Sequence, residues 1–484
     1  MPASPKLSKP SSLKSLKTSR RFWHVTAPEA GQIEKAVGLW GKAGQRSLAR
    51  SALVEAAEQL MRALAQIAQL PSTPALRRHQ IEFQVALITP LYHVKGAAAP
   101  ETIAAAQKAQ LLIERAEALN EPIEDPLLLL SVLYGSWLST INAFDGDALR
   151  KLATQFLALA EKQGTTVSLL VGHRLMGISL LVTGSIAEAR AHLEQAFALY
   201  EPTQHRPLAM RFGQDIRVAT QCFRSKALWY LGFPEAAVRD ADHALNDARE
   251  LGQAATLIYA LFFASFVPIF CGHYTAADAQ LGELAALADE KGSLFWKSHC
   301  MSLHGSLVSS GEPAEAVRMI TTGTKAFRST GATFLMPFYV SNLATAYAEL
   351  GQFDDAWRCI GEAETAVETT KYTWYEAEVN RIAGKIELLS PDPDAAKAEA
   401  YFERSLTVAR QQQAKSWELR AAMSMARLWR DQGKPQQARE LLAPVYGWFT
   451  EGFDTRDLKE AKALLEELAV SHMKGNGQMP TPTA

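Results

Sequence analysis

The fold this sequence predicts is all-α: a right-handed, tetratricopeptide-like solenoid of helical hairpins. Three observations carry that reading. A glycine followed five residues later by an alanine recurs along the chain, at Gly31/Ala36, Gly184/Ala189, Gly232/Ala237, Gly272/Ala277, Gly311/Ala316, Gly351/Ala356 and Gly433/Ala438. From Gly184 to Gly351 the glycines step by 48, 40, 39 and 40 residues, and a fixed period of this size marks stacked helical hairpins. The stretch Ala414–Leu468 shows the unit itself: an apolar stripe at Leu419, Ala422, Met423 and Ala426, a stop at Gly433, a start at Pro435, and a second stripe at Ala438, Leu441, Leu442 and Val445.

Each part of the repeat has a physical reason. The glycine closes the first helix of a hairpin, because without a Cβ it takes the left-handed conformation that a helix end needs. The alanine lies on the second helix where two backbones approach closely and a larger side chain would push them apart. Tyr274 and Phe353 fill the gap beside it, and Ala43, Ala196, Ala244 and Ala363 keep a second contact small; Gly323 and Val445 stand at the equivalent place in two repeats. The step from Gly351 to Gly433 spans two repeats, with a Pro391–Asp394 turn replacing the missing glycine and Ala398 in the alanine position. Units near forty residues, longer than the ~34 of a tetratricopeptide repeat, imply helices of roughly 16–18 residues.

Taken in order, residues 1–28 are a basic, Ser- and Pro-containing tail without an acidic residue, expected to be disordered. The solenoid is expected over 29–470, with earlier turns at Leu70–Pro74 and Phe144–Gly146. Two windows, Pro126–Phe144 and Ala254–Cys271, lack charge, and each falls where the array needs an interior helix, apolar all round. The long step before Gly232 contains an insertion, Tyr200–Asp215, broken by Pro202, Pro207 and Gly213. His205, Arg206, Arg211, Gln214 and Asp215 are its candidate ligand contacts; the competing reading has them capping helix ends and pairing with one another. Leu458, Ala461, Leu464, Leu465 and Leu468 make the inward stripe of a capping helix, and residues 471–484 form a second tail.

Composition narrows the function. A formal net charge of −1 gives no electrostatic case for nucleic acid or an anionic membrane. Cys222, Cys271, Cys300 and Cys359 form no CxxC and read as free buried thiols of a reducing, cytoplasmic protein. No phosphate loop, H-E-x-x-H, G-x-S-x-G or dinucleotide fingerprint is present. Cys271, His273, Cys300 and His304 resemble a metal set, but the repeat register separates Cys271 from Cys300 by ~15 Å, too far for one zinc ion. The expectation is therefore a chain without catalytic residues, cofactor or metal. Most of the tryptophans are expected in the core, with some available to anchor a partner.

The segments Ala227–Gly252, Tyr200–Asp215 and above all Ala414–Leu468, within which Gly447–Lys462 (GWFTEGFDTRDLKEAK) is the most specific part, resemble the C-terminal tetratricopeptide-like array of large bacterial signalling proteins. In that family a class III adenylate/guanylate cyclase or DNA-binding domain and a P-loop ATPase precede the array. The resemblance runs from about Glu29 to Leu468, and neither the cyclase aspartates nor the ATPase phosphate loop has a counterpart here. It implies a free-standing or truncated array acting as an interaction and regulatory module. Its concave groove would receive a protein partner, a cyclase or ATPase relative among the candidates. The alternatives are a small-molecule sensor with its ligand near 200–215, and a chain that carries the cyclase label by family membership without the activity.

Overall fold

A computed structural model describes residues 27–121, 125, 127–143, 145–309 and 311–475. These residues form an array of helical hairpins, and no strand occurs among them. The pairs are Ala27–Ala49 with Leu53–Ile67, Pro74–Lys95 with Pro100–Ala118, Leu127–Ala143 with Gly146–Gln163, and Thr166–Val182 with Ile186–Ala198. After the insertion come Ile216–Tyr230 with Pro234–Leu251, Ala254–Cys271 with Tyr274–Glu290, Leu294–Leu307 with Pro313–Ser329, and Met336–Glu349 with Phe353–Thr370. Glu376–Leu389 with Ala395–Gln411 and Lys415–Asp431 with Pro435–Gly447 complete the array, and Arg456–Gly475 closes it. The tails expected at 1–28 and 471–484 lie outside the described residues except where the first and last helices reach into them.

The repeat logic holds from Gly184 onward. Ala189, Ala237, Ala277, Ala316, Ala356, Ala398 and Ala438 are each fully buried. Gly184, Gly232, Gly272, Gly351 and Gly433 have positive φ. Asp394 replaces the absent glycine's turn by accepting from the backbone N–H groups of Ala396 and Lys397. The Gly31/Ala36 pair is a correction. Both lie inside the helix Ala27–Ala49, and the first turn comes at Ser51, whose φ is +54°. A pair matched by spacing alone has no partner helix there to make the alanine necessary; Ala36 and Ala43 are accordingly only half-buried.

Of the first uncharged window, Leu128, Leu130, Val132, Tyr134, Trp137, Leu138 and Ile141 are buried, while Pro126 and Phe144 lie outside the described residues. Ala254–Cys271 is long and apolar enough to cross a membrane, yet 83% of it is buried here. It is divided at Ser265, and Pro268, which lacks the N–H for the i−4 bond, accounts for the break.

The main departure concerns the groove. The superhelix winds so tightly that successive turns touch. Ser293 Oγ donates to the His93 carbonyl, Ser416 Oγ to the Trp229 carbonyl and the Gly452 N–H to Glu235, pairs 200, 187 and 217 residues apart. The Thr333 N–H reaches the Asn142 carbonyl at 2.8 Å and the Trp374 N–H the Val182 carbonyl at 3.4 Å. About five forty-residue repeats thus make one turn. The open concave channel expected from the repeat is filled by aromatic side chains. Trp229 meets Trp417 at 4.7 Å between ring centres, and Phe270, Tyr230, Trp374 and Tyr375 pack around them. Spacing reports how neighbours stack; the large inward side chains that close the channel follow no fixed period.

Candidate binding sites: a buried polar centre and an outer cleft

The insertion folds inward. Pro202–His205 and Ala209–Phe212 are single helical turns joined by a 3-10 turn, and Gly213, at φ +81°, ends the second. A Cβ on Gly213 would lie 3.1 Å from His93 Nε2, so both the conformation and the contact demand glycine. His93 reads this turn directly: Nε2 donates to the Gly213 carbonyl at 3.0 Å, and Nδ1 accepts from Trp296 Nε1 at 3.2 Å. One neutral tautomer satisfies both. Burial holds His93 at a pKa of about 4, and a second proton would set two donors, Nδ1–H and the indole N–H, against each other.

The five residues singled out from the sequence part company. Asp215 is buried, caps the next helix by accepting from the Val218 N–H at 3.1 Å, and accepts from the Tyr200 hydroxyl at 2.6 Å. Burial raises its pKa against the opposing pull of those hydrogen bonds. His205 is buried against Tyr200, its Nδ1 accepting from the Glu201 N–H at 2.8 Å while Nε2 has no partner. Gln214 is buried and donates to the Tyr134 hydroxyl at 2.6 Å, leaving Oε1 unpaired. Arg211 pairs with Asp125, and Arg206 is exposed. His205 and Asp215 therefore meet around Tyr200, Gln214 faces the interior, and the two arginines point elsewhere.

Gln214 leads to a centre that the sequence reading missed. Tyr134 lies under the guanidinium of Arg174, 5.7 Å from ring centre to Cζ, and Arg174 is fully buried. None of its three guanidinium nitrogens has a hydrogen-bond acceptor. Burial works against its charge, but the neighbouring Tyr134 and Tyr259 hydroxyls outweigh that and keep its pKa above the ordinary arginine value. Neither hydroxyl meets the geometry of a hydrogen bond with it. A second buried cation, Lys226, sits over the faces of Phe223, Phe263 and Phe266 at 3.8, 4.6 and 5.2 Å, and burial brings its pKa down to about 7. One signal was legible: in the mostly apolar helix Thr166–Val182, Arg174 is the one arginine.

Beside this centre is a cavity of about 20 Å³ lined by Tyr92, Trp137, Phe223, Tyr259, Trp296 and His299, among others, room for a water-sized occupant. A different space opens on the outside, about 510 Å³, where two superhelical turns meet. Its walls are Ala187, Arg190, Ala191 and Glu194 from one hairpin, Leu231 and Phe233 from the following hairpin, and Gln413, Lys415 and Trp448 from the next superhelical turn. Phe233 and Trp448 pack edge to face at 5.5 Å. Arg190 lies over Phe233 and pairs with Glu194; Lys415 lies over Trp448 and pairs with Glu418. Trp448 is 39% exposed, in contrast to the tryptophans of the core.

The four cysteines are free and buried, and burial lifts Cys222, Cys271 and Cys300 to about 12 and Cys359 to about 11, which keeps the thiols unreactive. Cys300 donates to the Leu281 carbonyl, and His304 pairs with Asp278, so two members of the metal-like set are engaged elsewhere. No group of three or more metal-ligating side chains occurs among the described residues.

Comparison with known structures fixes the fold. A Rap protein solved with the competence and sporulation factor superposes with a TM-score of 0.51 at 14% identity, over 81% of this chain and 99% of that one. The chain is a tetratricopeptide-like helical solenoid. The apo quorum sensor NprR of B. thuringiensis is a further neighbour, at a TM-score of 0.44 and 11% identity over 76% of this chain and 98% of that one. No protein-family model matches the chain. An uncharacterized protein of Rhizobium meliloti (strain 1021) is 25% identical over 370 residues, 73% of this chain. The match spans only 34% of that relative's length.

Proposed function

We infer that this solenoid is a non-catalytic interaction and regulatory module whose contact surface is the outer cleft rather than the filled groove. The observation that carries this is the half-exposed Trp448, set against Phe233 in a cleft of about 510 Å³ with two cations on its rim. A space of that size falls in the range of ligand pockets, and tryptophan and arginine dominate the energetics of protein contacts. Arg190 and Lys415 each hold one carboxylate already, so the cleft favours an apolar or aromatic side chain of a partner over a strongly acidic one. The partner proposed is a protein of bacterial signalling in the cytoplasm, with cyclase or ATPase relatives first among the candidates. The likeness of Gly447–Lys462 to such arrays supports this, and Trp448 lies within that segment. The much greater length of the Rhizobium relative is in keeping with it.

The test is capture with the intact chain from native cytosol, repeated with Trp448→Ala and Phe233→Ala. A partner retained by the wild type and lost by at least about tenfold with Trp448→Ala is the expected result. Equal retention by both variants would remove the cleft from consideration.

A further inference from the structure

The outer cleft exists only where two turns of the superhelix meet, and one loop brings them together there. Residues 448–455 join the helix Pro435–Gly447 to the closing helix Arg456–Gly475, and they reach back to a hairpin formed about two hundred residues earlier. Trp448 packs on Phe233, and the Gly452 N–H donates to Glu235 at 2.8 Å. At φ +76°, Gly452 passes so close to the Pro234 ring that a Cβ would collide with it. Arg456, just past the loop, lies over Tyr274 and pairs with its hydroxyl.

Glu451 supplies a cap that the helix Pro234–Leu251 lacks. That helix begins after Phe233, which makes no side-chain capping hydrogen bond. The first N–H groups of a helix have no partners within it, and a side-chain oxygen ordinarily accepts from the second or third. Here the oxygen is Glu451 Oε1, 215 residues away in the chain, which accepts from the Ala236 N–H at 2.9 Å. A carboxylate also suits the positive end of the helix. Glu235, in the first turn of that helix, returns the contact by accepting from Gly452. The two glutamates form a reciprocal clasp across the seam, and the aromatic pair of the cleft lies beside it in the chain, Phe233 next to Pro234 and Trp448 three residues before Glu451.

We propose that Glu451 and Glu235 position the cleft: the clasp holds Trp448 against Phe233, and its release removes one wall. Both glutamates act through Trp448 rather than on a partner directly. The role in binding rests on the reading of the cleft as the contact surface, and it makes that surface conditional on closure of the seam. A partner that needs both walls binds the closed form and stabilises it by mass action.

Acrylamide quenching of Trp448 in the full chain, isolated by difference against Trp448→Phe, reads the clasp without a partner. Glu451→Ala should raise it about twofold, as a local opening exposes the half-exposed indole fully. Glu451→Gln keeps an accepting oxygen and should restore the wild-type value. Asp394→Ala removes the cap of another outer helix, Ala395–Gln411, and should leave Trp448 unchanged. Unchanged quenching in Glu451→Ala overturns the proposal, as does an equal rise in Asp394→Ala, which would mark general loosening. Should Glu451→Ala not fold, Glu235→Ala opens the other half of the clasp and carries the same expectation. Capture from native cytosol separates the clasp from the partner. A protein lost with Trp448→Ala and also with Glu451→Ala supports both. One lost with Trp448→Ala alone keeps the cleft and overturns the clasp. A wild-type chain that captures nothing removes the partner reading, and the quenching result then decides the clasp by itself.

Discussion

The helix Ile216–Tyr230 and its hairpin partner Pro234–Leu251 differ in what their sequences disclose. The partner is an ordinary outer-wall helix: 7 of its 18 residues are buried, and they include Ala237, Ala241, Ala244, Leu245 and Ala248 on one stripe. The inner helix buries 13 of its 15 residues, although it carries Arg217, Gln221, Arg224 and Lys226. Its burial is completed by the next turn of the superhelix, and most of its polar groups find local partners. Arg224 pairs with Asp240, Thr220 returns its hydroxyl to the Ile216 carbonyl, and Lys226 lies over phenylalanine faces. Both helices pack first on neighbours in sequence; the inner one also receives, along its buried face, residues about two hundred positions away such as Ser416 and Trp417.

The largest expected effect breaks the inner layer alone. Trp417 is fully buried, donates Nε1 to the Trp374 carbonyl at 3.1 Å and packs on Trp229 from the previous turn. Trp417→Ala should cost about 3–5 kcal/mol, read by circular dichroism in a urea series. Trp357, half-buried on the outer wall and stacked on Tyr401 at 5.9 Å, should cost about 1–2 kcal/mol on the same substitution. Equal costs would mean that the turns do not stack as described.

Protons distinguish the layers next. His93 and His299 are buried in the inner layer, and burial lowers them to about 4 and about 3. A base whose folded pKa lies below its unfolded one, near 6.5, binds fewer protons folded than unfolded. Stability therefore rises with pH from about 3 to 6.5 and is level above that, as far as these two groups decide it. Between pH 7 and pH 5 each histidine should remove about 2 kcal/mol. His299→Phe, placed among Phe262, Phe295 and Phe327, should halve that loss while lowering stability at both pH values, since Tyr339 forfeits its partner. An unchanged pH dependence in the variant would show that His299 is not the group responsible.

This contrast also explains what the sequence made legible. The outer wall was readable because glycine and alanine recur where the backbone geometry leaves no choice, and all seven repeat alanines from Ala189 to Ala438 are fully buried. The failure at Gly31 marks the limit of a spacing without a partner helix. The inner centre was not readable. His93 meets Gly213 and Trp296 at separations of 120 and 203 residues, and no local pattern connects them. The insertion was located correctly from its length and breakers. Its inward fold depends on Tyr134 and Asp125, which lie in another hairpin.

The smallest effect tests where the layers join. Gly232 and Gly433 have the same role and nearly the same φ, +88° and +76°. Either changed to alanine should cost about 1–2 kcal/mol for a left-handed residue with a Cβ. At Gly433 that is the whole cost, because nothing lies within 4 Å of the added atom. At Gly232 the added Cβ would come within 2.5 Å of the Trp448 ring and 3.0 Å of Lys415, so the aromatic floor of the cleft must move. Gly232→Ala should therefore lose more stability than Gly433→Ala and should alone alter the emission of Trp448. That emission is isolated by subtracting the spectrum of the same protein with Trp448→Phe. Matching stability losses with unchanged Trp448 emission would mean that the turn at Gly232 does not rest on the cleft.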